Sequence, residues 1–282
     1  MPGTLFVVAT PIGNLEDITG RALRVLREAS IIAAEDTRRT ARLLARYAIT
    51  TPTTSLHEHN ESQKTGSLVA RLDRGENIAL VSDAGTPTIS DPGSGLIKAA
   101  IDAGIRVEPI PGPNAAIAAL AVSGLPTEAF SFLGFPPTRS KARSAWFDRA
   151  RSIGGTIVFY EAPHRIRDTL DQLRREVGDC QVVVCRELTK VHEQLVRGPI
   201  TDVLSELASP LGEFTVVVHI GHSTDTTAVG PPSAAEMLLS FGQLTNIEGL
   251  SRRSAVATLA KRHKMSANAV YKLIETGKKV VD

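Results

Sequence analysis

Cysteine is scarce in this 282-residue chain, which has two, Cys180 and Cys185. Two thiols make no disulfide framework, and a chain of this length buries enough apolar surface to need none. They lie on one strand-like run an odd number of positions apart. That predicts opposite faces and reduced core thiols. Long apolar runs are missing too. The longest beyond the N-terminus, "AAIAALAV" (115–122), is far short of a bilayer span. The opening "MPGTLFVVATPIGN" has no basic segment before its apolar stretch, so it does not read as a signal peptide. The expectation is a cytoplasmic protein with no membrane partner. There is no G-x-G-x-x-G, no phosphate loop ending G-K-[S/T], no G-x-S-x-G elbow and no His/Cys cluster with metal-ligand spacing. No repeat of fixed period is apparent.

What is present is an ordinary globular composition, 42% hydrophobic and 22% charged, long enough for two domains. Charge is unevenly spread. Residues 250–282 hold eight basic and two acidic side chains, a net of +6, against 24 basic and 28 acidic elsewhere, a net of −4. A basic tail on a mildly acidic body suggests a polyanion contact confined to the tail.

Residues 1–124 alternate short β-rich apolar runs (Leu5–Ala9, Ile31–Ala34, Ile78–Val81, Val107–Ile110) with helical periods such as Ile18, Ala22, Val25, Leu26 and Ala29. This predicts a mostly parallel α/β sheet. A break at "GLPTEA" sets a boundary near 124. In residues 125–222, runs at 129–135, 155–161, 180–188, 192–200 and 213–221 read as strands. Residues 163–177 read as a helix with Pro163 in its first turn. Consecutive strands without a helix between them imply antiparallel pairs, hence a mixed sheet. Residues 223–234 read as a linker. Residues 235–282 carry two amphipathic helical halves about "HKMS", with Ser266 as N-cap and Val270, Leu273 and Ile274 on one face, like a helix-turn-helix unit.

Four loops follow strands of the first half: "TPIGN" (10–14), "EDTRR" (35–39), "SDAGTPTISDPG" (82–93) and "PGPNAAIAA" (111–119). Ligands of open α/β sheets bind at such carboxyl ends. The loops offer backbone groups, small hydroxyls and carboxylates. That suits a ligand with an ammonium, a sugar and a planar ring better than a triphosphate. Spacing alone goes no further.

The segments "TPIGNLEDIT" (10–19), "EDTR" (35–38), "SDAGTPTISDPG" (82–93), "PGPNA" (111–115), "YEAPHRI" (160–166) and "ELTKVHE" (187–193) occur together and in order. In them the chain resembles the tetrapyrrole methylase superfamily, and within it the branch acting on small-subunit ribosomal RNA. The resemblance covers essentially the whole chain. It implies two α/β domains of the tetrapyrrole methylase type with S-adenosylmethionine in the cleft between them, and a homodimer. It further implies methylation of the ribose 2′-hydroxyl of a cytidine in the decoding region of 16S ribosomal RNA, within the small subunit. Carried onto this sequence, the cofactor candidates are Pro11 and Ile12, Ser82, Asp83, Ala84, Gly85 and Thr86, and Pro113, Asn114 and Ala115. Asp83 is placed nearest the cofactor. Asp91, just ahead of Pro92 and Gly93, is read as a helix-start cap, and neither aspartate as a base. The alternatives are a tetrapyrrole methyltransferase acting on a small molecule, or a ligand-sensing nucleic-acid-binding regulator.

Methyl transfer to a hydroxyl needs in-line alignment, and benefits from a base or a cation beside the developing alkoxide. Catalytic candidates are Lys190, Glu187 and Glu193, with Asp36 and Arg38 from the first half and Glu161, His164, Arg165 and His192 nearby. On an unbroken strand Glu187 and Glu193 would share one face, and Lys190 and His192 the other. Lys190 with a neighbouring carboxylate is expected at the target hydroxyl. Arg252, Arg253, Lys261, Arg262, Lys264 and Lys272 are the RNA-binding candidates, through phosphates rather than a groove-inserted helix. No metal is expected: His57 and His59 lack a third ligand, and read as a loop touching RNA or solvent. Trp146 is expected to pack under a helix.

Overall fold

The structure, a computed structural model, describes residues 1–207, 211–221, 233–242, 244–245, 250–263 and 265–281. The chain forms two compact units, residues 1–222 and 223–282.

The first unit holds two sheets. In one, β1 (Thr4–Val8), β2 (Ile31–Ala34), β3 (Thr53–Ser55), β4 (Ile78–Val81) and β5 (Arg106–Ile110) lie parallel in the order β3-β2-β4-β1-β5. Every residue of β2 and β4 is buried, as helices on both faces require. α1 (Gly20–Glu28) and α2 (Thr37–Arg46) supply a core with Leu26, Leu43 and Leu44 against Ile32 and Val81. α3 (Glu61–Asp73) and α4 (Ser94–Asp102) supply the other face, with Leu68, Leu72 and Leu96 against Ile78 and Leu80. All five residues of the stripe from Ile18 to Ala29 are buried, but the helix is shorter than the stripe. Thr19 caps it, its hydroxyl accepting the Ala22 N–H at 3.1 Å, so Ile18 and Ala29 reach the core from extended backbone. The edge strand β3 was not expected, because "TTS" carries no apolar alternation.

α5 (Ala115–Ser123) precedes the expected boundary at 124 yet packs on the second sheet, with Ala116, Ala119 and Leu120 against Val158, Val183 and Val217. That sheet has β6 (Phe130–Phe132), β7 (Gly155–Glu161), β8 (Gln181–Arg186), β9 (Gln194–Pro199) and β10 (Phe214–Ile220) in the order β6-β7-β10-β8-β9. Only β6 and β7 pair in parallel, so the sheet is mixed, as expected. α6 (Ser140–Ile153), α7 (Ile166–Val177) and α8 (Ile200–Glu206) cover its other face over Phe159, Leu170, Leu173, Ile200 and Val216. α7 begins three residues later than expected. Residues 162–165 close a turn in which the Arg165 N–H donates to the Ala162 carbonyl at 3.0 Å, leaving Pro163 outside the helix. Trp146 lies on the buried face of α6 itself, edge-on to Phe159, its indole N–H donating to the Leu133 carbonyl at 3.1 Å. Cys185 points to the α5 side and Cys180 to the other core, both as free thiols that burial pushes up to about 11.

In the second unit α9 (Ala234–Gly242), α10 (Arg252–Arg262) and α11 (Ala267–Val281) enclose a small core of Met237, Phe241, Ala255, Leu259, Val270 and Ile274. Ser266 caps α11, its hydroxyl accepting the Ala269 N–H at 3.2 Å. α9 joins the expected pair as a third helix. Of the expected linker, residues 223–232 lie outside the described residues. Among the described residues, no helix is long and apolar enough to cross a membrane.

Candidate active site

The strand order positions the site. β2, β4, β1 and β5 are neighbours, so the loops that follow them stand side by side along one edge of the first sheet. Paired backbone bonds join two of them: the Thr10 N–H donates to the Gly85 carbonyl at 2.8 Å and the Gly85 N–H to the Thr10 carbonyl at 3.0 Å. The Thr86 hydroxyl donates to the Pro113 carbonyl at 3.3 Å, tying in the loop after β5. From the second sheet come the ends of β7 and β8 and the start of β10, which pair at Phe214 with Glu161 and Arg186.

These segments enclose a cavity of about 380 Å³, within the range of small-molecule sites. Of the cofactor candidates, Ile12, Asp83, Ala84, Gly85, Thr86, Asn114 and Ala115 line it. Pro11 and Ser82 line an adjoining cavity of about 370 Å³, which shares Arg39, Asp83 and Glu213 with the first. Pro113 lines neither and contributes the carbonyl that anchors Thr86. Asn114 caps α5, its side-chain oxygen accepting the Ile117 N–H at 3.1 Å.

Asp83 is fixed from both sides. Its Oδ1 accepts the Asp36 N–H at 2.9 Å and its Oδ2 pairs with Arg39 at 3.2 Å. The Asp83 N–H donates to Glu35 Oε2 at 3.2 Å. Burial raises the Glu35 carboxyl, and the Asp83 charge adds to this. Asp36 caps α2 and pairs with Arg38, whose guanidinium bonds hold the Asp36 carboxyl well below the usual carboxylate range. The Arg38 side chain is 88% exposed, and neither residue lines the cavity.

Two expectations fail here. Asp91 is not the cap of α4. The residue at that helix start is Gly93, at φ 117°, and the Glu61 carboxylate reaches across from α3 to accept the N–H groups of Gly95 at 2.7 Å and Leu96 at 3.1 Å. Asp91 instead lines the cavity wall. Residues 187–193 are not a strand, so the face assignment for Glu187, Glu193, Lys190 and His192 does not hold. Glu187 and Thr189 sit at φ 52° and 67°, and the chain turns back on itself. Lys190 Nζ consequently donates to Glu187 Oε1 at 3.0 Å and to Glu213 Oε2 at 2.9 Å, while Glu193 accepts the Thr189 N–H at 2.6 Å. Burial pulls the Lys190 ammonium down, but the two carboxylates outweigh it and the group titrates above its ordinary value. For Glu187, burial pulls upward and the Glu213 N–H and Lys190 outweigh it. The turn docks on Gly13: a Cβ there would lie 2.7 Å from the Leu188 carbonyl oxygen and 2.6 Å from Lys190 Cγ. The Asn14 N–H donates to the Thr189 hydroxyl at 3.0 Å.

Glu161 is fully buried at the cavity wall, accepting from Thr169 and from the Ala162 N–H at 2.7 Å, with Arg165 at 3.5 Å and Arg143 at 3.9 Å. Glu35, Arg39, Phe135, Tyr160 and Glu213 also line the cavity. Glu35 and Arg39 lie inside the segment "EDTRR", and Tyr160 opens "YEAPHRI", but which side chains turn inward is not written in the motifs. Glu213 carried no signal at all. His57 meets His59 edge-on at 6.0 Å and Asn60 at 3.0 Å. Among the described residues, no group of three or more His, Cys, Asp or Glu side chains is placed to hold a metal ion. In the second unit Arg252, Arg253 and Lys272 are exposed. The side chains of Lys261 and Arg262, and all of Lys264, lie outside the described residues.

The family model for Tetrapyrrole (Corrin/Porphyrin) Methylases matches residues 4–204. A protein of Halalkalibacterium halodurans named "Ribosomal RNA small subunit methyltransferase I" is 50% identical over 218 residues, 77% of this chain and 75% of its own. A protein of the same name from Vibrio cholerae is 44% identical over 277 residues, 95% of this chain and 93% of its own. Among solved structures, uroporphyrin-III-C-methyltransferase from Thermus thermophilus aligns with a TM-score of 0.52 at 21% identity, covering 76% of this chain and 94% of that one. A diphthine synthase aligns with a TM-score of 0.60 at 18% identity, covering 77% and 90%. The solved structures share the fold; the family match and the level of identity to the curated relatives go further, and the chain belongs to the tetrapyrrole methylase family.

Proposed function

We propose that the protein methylates the ribose 2′-hydroxyl of a cytidine in the decoding region of 16S ribosomal RNA, within the small ribosomal subunit. The observation that carries this reading is identity of 44% along 95% of the chain to a protein named for small-subunit ribosomal RNA methylation. A homodimer belongs to the same proposal, as the resemblance to the family implies.

S-adenosylmethionine is the methyl donor, supplying an electrophilic methyl on a cationic sulfonium. The cavity's chemistry fits it. Glu35 and Asp83 give the wall the negative potential a cation needs, and Gly85, at φ 80°, leaves that stretch of wall without a side chain. Ile12, Ala84, Thr86, Asn114 and Ala115 would hold the donor, with Tyr160 and Phe135 as apolar surface opposite. Lys190 remains protonated between its two carboxylates. It lines neither cavity and its ammonium is committed to Glu187 and Glu213, so it is not placed to remove a proton. Arg252, Arg253 and Lys272 would meet RNA phosphates from the second unit.

The test offers small ribosomal subunits, naked DNA and a porphyrinogen to the protein with labelled S-adenosylmethionine, followed by mapping of ribose methylation. Transfer to a cytidine ribose of the small-subunit RNA is expected. Transfer to the porphyrinogen alone would favour a small-molecule methyltransferase, and no transfer at all a ligand-sensing regulator.

A further inference from the structure

A hydroxyl nucleophile must lose its proton as the new bond forms, and the residues first considered for that task are committed elsewhere. Asp36 is bound to Arg38, Glu187 and Glu213 to Lys190, and both oxygens of Asp83 to Asp36 and Arg39. Glu161 is enclosed by Thr169, Ala162 and two arginines. Glu35 holds the Asp83 N–H. Asp91 differs: Glu61 caps the start of α4, and among the described residues the Asp91 carboxylate, which lines the cavity, pairs with no cation and meets the Ser82 hydroxyl.

From this geometry we infer that Asp91 is the group that accepts the proton of the hydroxyl nucleophile. The oxygen forms its bond to the methyl carbon, the carbon–sulfur pair stays on sulfur as a neutral thioether, and the proton passes to the Asp91 carboxylate and then to solvent. Two further observations support this. Thr88 and Ser90, just before Asp91, hold left-handed backbone at φ 73° and 67°. Such strain persists only where the surroundings over-determine it, and it clusters at active sites. The groups facing Asp91 are Glu35 beyond β2, Ser82 and Asp83 beyond β4, and Tyr160 of β7, with Arg39 of α2 in the same wall. Burial raises the carboxyl to about 6, Ser82 works against this, and the charges of Glu35 and Asp83 add to it. A base poised there is ionised at neutral pH yet basic enough to take a proton.

The inference rests on the ribose-methylation reading, and the experiment separates the two. Asp91→Asn is compared with wild type for kcat on small subunits from about pH 5 to 8, and for the Kd of S-adenosylhomocysteine by calorimetry. Expected are a fall in kcat of about 100-fold or more, a Kd within about threefold of wild type, and loss of the acid limb that wild type shows near pH 6. A variant with wild-type kcat, or one whose Kd weakens while kcat holds, overturns the inference. If Asp91→Asn does not fold, the wild-type limb and the Asp91 carboxyl signal in carbon NMR of the free protein decide. Titration of both near pH 6 is expected, and absence of either overturns it. Wild type that methylates no ribose of the small-subunit RNA would instead refute the functional reading itself.

Discussion

Asp91→Asn is expected to stabilise the fold increasingly as pH rises. In the wild type, burial holds this carboxyl at about 6 against an ordinary 3.8. The native state therefore binds the proton more tightly than the unfolded chain. By linkage, wild-type stability falls as pH rises from about 4 to about 6, and stays lower above that window. Two pKa units at about 1.36 kcal/mol each amount to about 3 kcal/mol. The carboxyl is only half-buried, and solvent screening reduces this to about 1–2 kcal/mol. An asparagine carries no such proton, so the difference between variant and wild type should grow by that amount across the window and then level off. Trp146 is the single tryptophan and is buried in the same compact unit, so its fluorescence reports this unfolding. At about 2–4 °C per kcal/mol for a unit of this size, the Tm difference should widen by about 2–8 °C between pH 4 and 7. A difference that is flat with pH, or that narrows towards neutrality, would refute the claim that Asp91 is held ionised at a cost.

Gly13→Ala should cost about 1–3 kcal/mol, because its Cβ meets the Leu188 carbonyl, which has no rotamer to escape into. The same change should weaken S-adenosylhomocysteine binding several-fold by parting two walls of the cavity, and a calorimetric titration matching wild type would count against that docking. Replacing Arg252 and Arg253 together by Ala should weaken binding to small-subunit RNA. The slope of log K against log salt should become shallower by up to about 0.7–0.9 for each phosphate the variant no longer neutralises. An unchanged slope would place the RNA surface elsewhere.

Much of the architecture is legible in local sequence. Four of the five strands of the first sheet, the mixed character of the second and the Ser266 cap follow from apolar alternation and capping chemistry, which depend on neighbours along the chain. β3 escaped because a three-residue edge strand needs no apolar pattern. The loops that line the cavity are visible as Gly, Pro and Asp clusters after strands. The roles within them are not. Asp91 reads as a cap from the sequence, but the residue at the start of α4 is Gly93, two positions further on, and Glu61, some thirty positions before Asp91, supplies the carboxylate at that helix start. Lys190 and Glu187 read as opposite faces of a strand until the left-handed turns at Glu187 and Thr189 bring them together. Local propensity is set within a few residues, so the sequence alone determined the elements and the loops between them. Strand order, the crossing of α3 to the start of α4 and the docking of one loop on Gly13 depend on long-range packing, and these decided which carboxylate faces the cavity.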